Sequence, residues 1–214
     1  MSGYTLIDGH YLLPTPAGAY ATVAYPRVDS VRRLLCSLLC QETTPLLTQE
    51  ALERWTGQSG EEAQESLYHA QNHQWVEGFK EPRNTPSGAL EDLLPGLLPL
   101  LSENGKALLA DTQGVCLAEV GFPHEAATVL AALNADIASL DTRHGEFIRR
   151  ELRLDSAAWS LVDAAGNSQL GFWPLFIGEQ RFTLVLQGVP HFNQPLFTEL
   201  VWTLSTRYAR PQPE

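Results

Sequence analysis

The residues that could do chemistry are few and stand apart from one another. His69 and His73 are four residues apart in a segment with helical periodicity, so one helix face could present both imidazoles to a metal ion. The pair lacks the further ligands of a complete site, so we predict no metal. Cys36 and Cys40 have the same spacing beside leucines, which is wrong for a C-x-x-C redox pair and predicts small buried hydrophobic residues.

Motifs that identify an enzyme are absent from the sequence. It contains no phosphate-binding loop, no dinucleotide glycine fingerprint, no G-x-S-x-G elbow and no H-E-x-x-H. His144 with Glu146, or His191, could be proposed as catalytic, but isolated histidines near loops are usually polar surface residues. We therefore predict no catalytic residue, no cofactor and no enzymatic activity.

One basic run interrupts an otherwise acidic sequence. Arg149, Arg150 and Arg153 either form a solvated face or attract an acidic partner loop or a phosphate group. Trp173 stands in a later aromatic segment, and aromatic side chains often anchor interfaces. These four residues are the predicted partner-binding candidates.

Length and charge limit the class of protein. The 214 residues suffice for one large or two small domains, and a net charge of -11 opposes binding to nucleic acid. Three cysteines cannot all pair, which favours a reducing, cytoplasmic location. The first 26 residues lack the continuous apolar core of a signal peptide, and prolines interrupt the apolar stretch at 90–105. We predict a soluble protein without membrane insertion.

The first domain is predicted over residues 1–84. Residues 1–26 read as short extended pieces separated by a turn. Asp29 or Ser30 can cap a first helix, Thr48 a second that ends at Gly57, and Ser59 opens a third before a strand in 74–79. Helix, helix, turn, helix and strand is the order of a winged helix.

The charge of this segment disfavours a DNA-binding role. Between Thr48 and Phe79 there are six glutamates and one arginine. A DNA-reading helix needs lysine and arginine for phosphate contacts. We therefore predict that the winged-helix-like domain contacts proteins.

The second domain is predicted over 88–210. Its order is a proline-interrupted helix at 88–103, a hairpin of apolar strands at 106–122, a long helix, three strands in 157–188, and a last helix capped by Asn193. The long helix carries a larger apolar stripe, predicted to face a sheet or core: Ala126, Leu130, Leu133, Ile137 and Leu140.

A second stripe on the same helix is small. It consists of Ala127, Ala131, Ala135 and Ala138, which would let another backbone approach closely. We predict this stripe as a dimer interface. The alternative is that alanine fills surface positions as a good helix former.

This order, with "ALLADTQGVCLAEVGF" before an alanine-rich helix and "RFTLVLQG" before a last helix, resembles the roadblock / dynein light chain family over about residues 88–208. The resemblance implies a five-stranded antiparallel sheet flanked by helices. With the winged-helix-like domain before it, the chain is predicted to be of the α+β class. The resemblance also implies a homodimer formed through the long helix and the third strand. Members of the family act as scaffolds or as partners of Ras-like small GTPases. The chain departs from the family in a longer segment at 141–156 and in the preceding domain.

Two functions follow as expectations. The first is a non-enzymatic homodimeric adaptor or regulator of roadblock type, which binds itself and a small GTPase or another signalling protein. The alternative is a winged-helix transcriptional or ligand-sensing regulator. The acidic third helix disfavours this alternative, because the helix that would enter DNA lacks positive charge.

Overall fold

The computed structural model describes residues 6–7, 9–26, 29–154 and 156–209. Several predictions fall partly outside these residues: residues 1–5 and Asp8 in the first extended piece, Asp155 in the segment 141–156, and Arg210 at the end of the second domain. The chain divides into two compact units. The first unit contains Pro26–Ser87, the chain up to Thr22 and the chain from Asn193 onward. The second unit contains Val23–Tyr25 and Gly88–Phe192.

The first unit is mainly helical. Its strands pair antiparallel, with Tyr11 opposite Phe79 and Pro14 opposite Val76. Its elements are β1 (Tyr11–Pro14), α1 (Pro16–Val23), α2 (Ser30–Leu39), α3 (Gln49–Thr56), α4 (Gly60–Asn72), β2 (Val76–Phe79) and α7 (Pro195–Tyr208).

Side-chain caps define the first helices where the sequence predicts them. The Asp29 carboxylate accepts a hydrogen bond from the Arg32 backbone N–H at 2.8 Å, and the Thr48 hydroxyl accepts one from Ala51 at 3.1 Å. Gly57 ends α3 in the left-handed conformation, with φ 67°. The predicted start of α2 and both predicted ends of α3 are confirmed.

The core of the first unit lies between α2, α3, α4 and the small sheet. Leu34, Leu38, Leu52 and Leu67 are buried in this cluster together with Trp55. These residues recur at helical spacing on each helix, so one stripe of each reaches the common core.

The segment predicted as a second extended piece is the helix α1. Pro16 stands at its start, and the Thr15 hydroxyl accepts a hydrogen bond from the Gly18 backbone N–H at 3.1 Å. Alanine-rich sequence favours the helix. Gly18 also lets the helix approach the carbonyl of Trp75, because a Cβ at this position would collide with that oxygen. The extended prediction is wrong for residues 18–23.

The last helix, α7, belongs to the first unit, whereas the sequence places it in 88–210. The Trp202 indole N–H donates a hydrogen bond of 2.6 Å to the carbonyl of Gln41, directly after α2. Gln194, one residue later than the predicted Asn193, precedes α7 as its cap and makes no side-chain cap hydrogen bond.

The second unit contains a five-stranded antiparallel sheet in the order β4-β3-β7-β6-β5. A short 3₁₀ turn, Leu98–Leu101, follows the first helix of this unit. The elements are α5 (Leu90–Leu97), β3 (Ala107–Asp111), β4 (Cys116–Val120), α6 (His124–Leu152), β5 (Trp159–Val162), β6 (Ser168–Ile177) and β7 (Gln180–Gln187). The predicted α+β class and five-stranded sheet are confirmed.

Both faces of the sheet are buried at its centre. Leu108 pairs with Val185, and Val185 with Phe172, so the three lie on one face, where α6 packs. The neighbouring positions Leu109 and Leu184 point to the opposite face and are also buried. This two-sided burial explains why the predicted hairpin strands are continuously apolar.

The turn of this hairpin is held by its own side chain. One carboxylate oxygen of Asp111 accepts hydrogen bonds from the backbone N–H groups of Gln113 at 2.8 Å and Val115 at 2.9 Å. Gly114 adopts the positive φ of 82° that closes the turn. The Asp-x-x-Gly sequence therefore has a structural role.

None of the described helices combines the length and the apolar character needed to cross a membrane.

Candidate functional site

Helix α6 packs on the sheet through its small residues. Ala127 and Ala131 lie in the same buried cluster as Leu108 and Phe172, and Ala138 is buried further along the helix. The larger predicted stripe is less covered: Ala126, Leu130, Ile137 and Leu140 are half-buried, and Leu133 is exposed. The prediction that the larger stripe faces the sheet is therefore only partly correct.

The predicted dimer stripe is covered by the chain itself. Besides the sheet, the β3–β4 turn lies against it: a Cβ on Gly114 would be 2.9 Å from the Ala131 carbonyl oxygen and 3.5 Å from the Ala135 Cβ. The Asn134 amide donates a hydrogen bond of 2.7 Å to the Asp111 carbonyl in the same turn. As predicted, the small side chains of the stripe let another backbone come close, but that backbone belongs to the β3–β4 hairpin of the same chain. This corrects the assignment of these alanines, including Ala127 and Ala138, to a second subunit.

An exposed apolar surface lies on the edge strand β5. Among the described strands, β5 pairs only with β6, and each of its four residues is exposed. Trp159, Leu161 and Val162 therefore present large apolar side chains beside unpaired backbone groups. Exposed apolar edges promote pairing with another strand, and soluble proteins normally protect them. We refer to Trp159–Val162 as the β5 edge.

Two arginines converge on one buried aspartate in the second unit. One Asp141 carboxylate oxygen accepts a hydrogen bond from Arg149 Nη1 at 2.5 Å, and the other accepts one from Arg181 Nη1 at 3.1 Å. The side chains of Asp141, Arg149 and Arg181 are only 6%, 9% and 13% exposed. We call these three residues the arginine cluster.

The spacing on α6 makes this cluster possible. Asp141, Gly145 and Arg149 follow one another at intervals of four residues, so they lie on one helix face. The arginine side chain reaches back over Gly145, where an added Cβ would collide with the Asp141 carboxylate and the Arg149 guanidinium. Gly145 is therefore required for the ion pair, although glycine is a poor helix former.

Aromatic rings and burial complete the environment of the cluster. The guanidinium carbon of Arg149 is 5.5 Å from the centroid of the Tyr25 ring, and that of Arg181 is 5.3 Å from the centroid of Phe176. Burial lowers the pKa of Arg181, and Arg149 acts in the same direction, whereas Asp141 opposes both. Two positive charges thus share one negative charge in a desolvated place.

The predicted basic run does not form one patch. Arg149 points inward to Asp141, whereas Arg150 is exposed and hydrogen-bonds Glu151 at 3.1 Å. Arg153 is exposed and follows the end of α6 in the left-handed conformation, with φ 54°. The structure therefore corrects Arg149 as a surface recognition residue and leaves Arg150 and Arg153 on the surface.

Trp173 is a core residue. It is buried on β6 and makes an edge-to-face contact with Phe192, with ring centroids 5.5 Å apart. The structure thus corrects its prediction as a partner-binding side chain.

The two histidines considered for a metal have separate neighbours. His69 Nε2 lies 3.6 Å from a Glu65 carboxylate oxygen, and the His73 ring stacks on Trp75 with centroids 4.7 Å apart. Over the described ranges of the chain, His, Cys, Asp and Glu residues form no group of three that could hold a metal ion.

The cysteines differ in exposure. Cys36 and Cys40 are half-buried and Cys116 is exposed. Burial raises the pKa of the Cys36 thiol to about 12, with a further contribution from Cys40. Such a thiol is protonated at neutral pH and is a poor nucleophile.

Sequence reasoning missed Asp141, Gly145 and Arg181 as members of one cluster. The spacing of Asp141, Gly145 and Arg149 is a signal for part of it, since a glycine between two opposite charges on one helix face is a place for an ion pair. No local pattern connects Arg181, which comes from β7.

In comparisons with protein-family models, with curated proteins and with solved structures, nothing matches this chain.

Proposed function

We propose that this chain is a non-enzymatic homodimeric adaptor or regulator of roadblock type, which binds a Ras-like small GTPase or another signalling protein. The observation that carries the proposal is the β5 edge: an apolar, exposed strand at one end of a five-stranded antiparallel sheet. A strand of this kind supports a binding role, because it offers backbone hydrogen bonds and apolar area together.

A second copy is the partner proposed for this edge. A two-fold axis would bring the same strand of two copies together antiparallel, so that each satisfies the unpaired backbone groups of the other. The contact would also remove Trp159, Leu161 and Val162 from water. Each Å² of apolar surface removed from water contributes about 25 cal/mol, so this burial favours association.

The dimer is tested with two valines that have equal exposure. Val162 on the β5 edge and Val115 in the β3–β4 turn are each 56% exposed. We expect Val162→Lys to shift the protein to the monomer in sedimentation equilibrium, because a charge would be buried at the contact. The Val115→Lys variant should remain dimeric. A monomeric wild-type protein at high concentration, or equal behaviour of the two variants, contradicts the dimer.

The signalling partner is tested separately. Arg150 and Arg153 are exposed near the end of α6, and in a chain of net charge -11 they offer contacts to an acidic loop. We expect affinity capture from native cytosol to retain a small GTPase, with a difference between GDP and a non-hydrolysable GTP analogue. The Arg150→Glu, Arg153→Glu double variant should lose this capture and remain dimeric. Recovery of the chain alone counts against the adaptor role.

For the first unit we propose a winged-helix-like module that contacts proteins. The order α2, α3, α4 and β2 supports this proposal, and α4 carries exposed Glu61, Glu62 and Glu65. These charges repel a phosphate backbone. The alternative, a DNA-binding or ligand-sensing regulator, predicts a salt-sensitive shift of duplex DNA at low ionic strength. We expect no such shift.

A further inference from the structure

The arginine cluster has more positive charge than its only carboxylate can neutralise. In the described part of the chain, Asp141 is the one carboxylate within ion-pair distance of Arg149 or Arg181. The three side chains therefore carry a net charge of one positive unit in a place that is almost closed to water. Buried charge of this kind is costly unless a counter-ion or further hydrogen bonds compensate it.

The unused donors of the two arginines point to the missing group. Asp141 accepts from Nη1 of each guanidinium. The Nε atoms of Arg149 and Arg181 are buried, and neither has a hydrogen-bond partner within the described residues. Nε and Nη2 form the side edge of a guanidinium, which makes two parallel hydrogen bonds to one oxyanion. On both arginines, the Nη1 contact to Asp141 leaves this edge uncommitted.

The other neighbours of the cluster do not satisfy these donors. Tyr25 and Phe176 present rings to the guanidiniums, and ring faces attract a cation without accepting its Nε–H in the way that an oxygen does. The side chains of Arg181 and Arg149 are 13% and 9% exposed, so each keeps a small contact with solvent.

We propose that the arginine cluster binds an oxyanion, either a carboxylate or a phosphate group, through the side edges of Arg149 and Arg181. Asp141 holds the two guanidiniums in position and supplies one of the two negative charges that the pair requires. The site is independent of the β5 edge and of the proposed dimer.

The experiment measures binding of inorganic phosphate and of acetate to the full chain. Thermal unfolding is followed while each anion replaces chloride at a constant ionic strength of about 0.2 M, so that general screening does not change. A ligand that binds only the folded protein raises the Tm along a saturable curve. We expect this behaviour for the wild-type protein with at least one of the two anions, and the anion that saturates identifies the chemical group.

Matched variants assign the effect to the cluster. Arg181→Gln should bind the anion about tenfold or more weakly, because one of the two guanidinium side edges that donate to the anion is lost. It leaves the neutral Asp141–Arg149 pair, so it should fold. Arg143→Gln removes one positive charge from an exposed position on the same helix and should bind like wild type. Arg181→Lys keeps the positive charge but lacks the two parallel donors of the guanidinium side edge, so it should also bind weakly.

Three results overturn the proposal. The first is a Tm that rises without saturation for both anions. The second is an equal response of the Arg181→Gln and wild-type proteins. The third is full binding by Arg181→Lys, which would show that positive charge alone suffices and that the guanidinium side edge of Arg181 is not used.

Discussion

At the residue scale, the arginine cluster is the unusual feature of this molecule. One of its ion pairs lies within α6 and the other joins α6 to β7, and each acceptor oxygen of Asp141 serves a different arginine. The aspartate is therefore common to both ion pairs, whereas each arginine takes part in one. Substitution of the aspartate and of an arginine should have unequal effects.

Asp141→Asn leaves two buried guanidiniums without a carboxylate, and removal of one partner from a buried pair costs about 3–5 kcal/mol. Arg181→Met leaves a neutral pair and an apolar side chain of similar length, so we expect a change in the free energy of unfolding within about 1 kcal/mol. Urea denaturation of both variants measures the difference. Equal losses would show that the two ion pairs do not share the aspartate energetically.

The cysteine thiols provide a second prediction at this scale. The pKa of Cys36 is raised to about 12, so its reactive thiolate is nearly absent at pH 8. Exposed Cys116 should therefore react first with iodoacetamide in the native protein, as read by mass spectrometry of its peptides. Cys36 should react only after denaturation or as the pH approaches its pKa. Rapid native labelling of Cys36 at pH 8 would contradict the burial.

At the element scale, α6 shows which parts of a fold can be predicted from sequence. The helix and the hairpin before it follow from periodicity and turn chemistry, and both are present. Periodicity gives two adjacent stripes but does not say which of them faces the sheet. The alanine stripe does so because the sheet and the β3–β4 turn come close to the helix axis. The inward orientation of Arg149 could not be predicted from periodicity either, because its partner Asp141 lies two turns earlier on α6.

The N-terminal residues show a different limit. Caps at Asp29 and Thr48 are local signals with local partners, so sequence reveals them. Helix α1 is short and rich in alanine, and its position depends on the contact between Gly18 and Trp75, which are distant in sequence. Chain order alone assigns the C-terminal helix to the sheet domain, because it follows the sheet strands, but contacts with α2 place it in the first unit.

Two helical glycines give the prediction at this scale. Gly→Ala in a helix normally stabilises by about 1 kcal/mol. Gly96 in α5 has open space where a Cβ would lie, so Gly96→Ala should raise the Tm. Gly145→Ala should lower it, because the methyl group would enter the Asp141–Arg149 ion pair. Thermal unfolding compares the two. Stabilisation by both substitutions would mean that the Arg149 side chain does not cross over Gly145.

At the scale of the whole molecule, net charge opposes the proposed association. Each copy carries a charge of -11, and the β5 edge contributes apolar side chains to the contact. Added salt screens repulsion, with a Debye length of about 10 Å at 0.1 M, and leaves apolar burial intact. We expect the dimer dissociation constant to fall between low and high sodium chloride in sedimentation equilibrium. A constant that rises with salt would indicate a contact made by ion pairs.

The position of α7 in the first unit affects how the protein is made. The helix that supplies Trp202 to the Gln41 carbonyl leaves the ribosome after the entire sheet has been synthesised. Helix α2, which α7 contacts, emerges more than a hundred residues earlier. The unit translated first is thus the one completed last, and a nascent chain that stops before Asn193 exposes the surface of α2 that α7 contacts to chaperones and proteases.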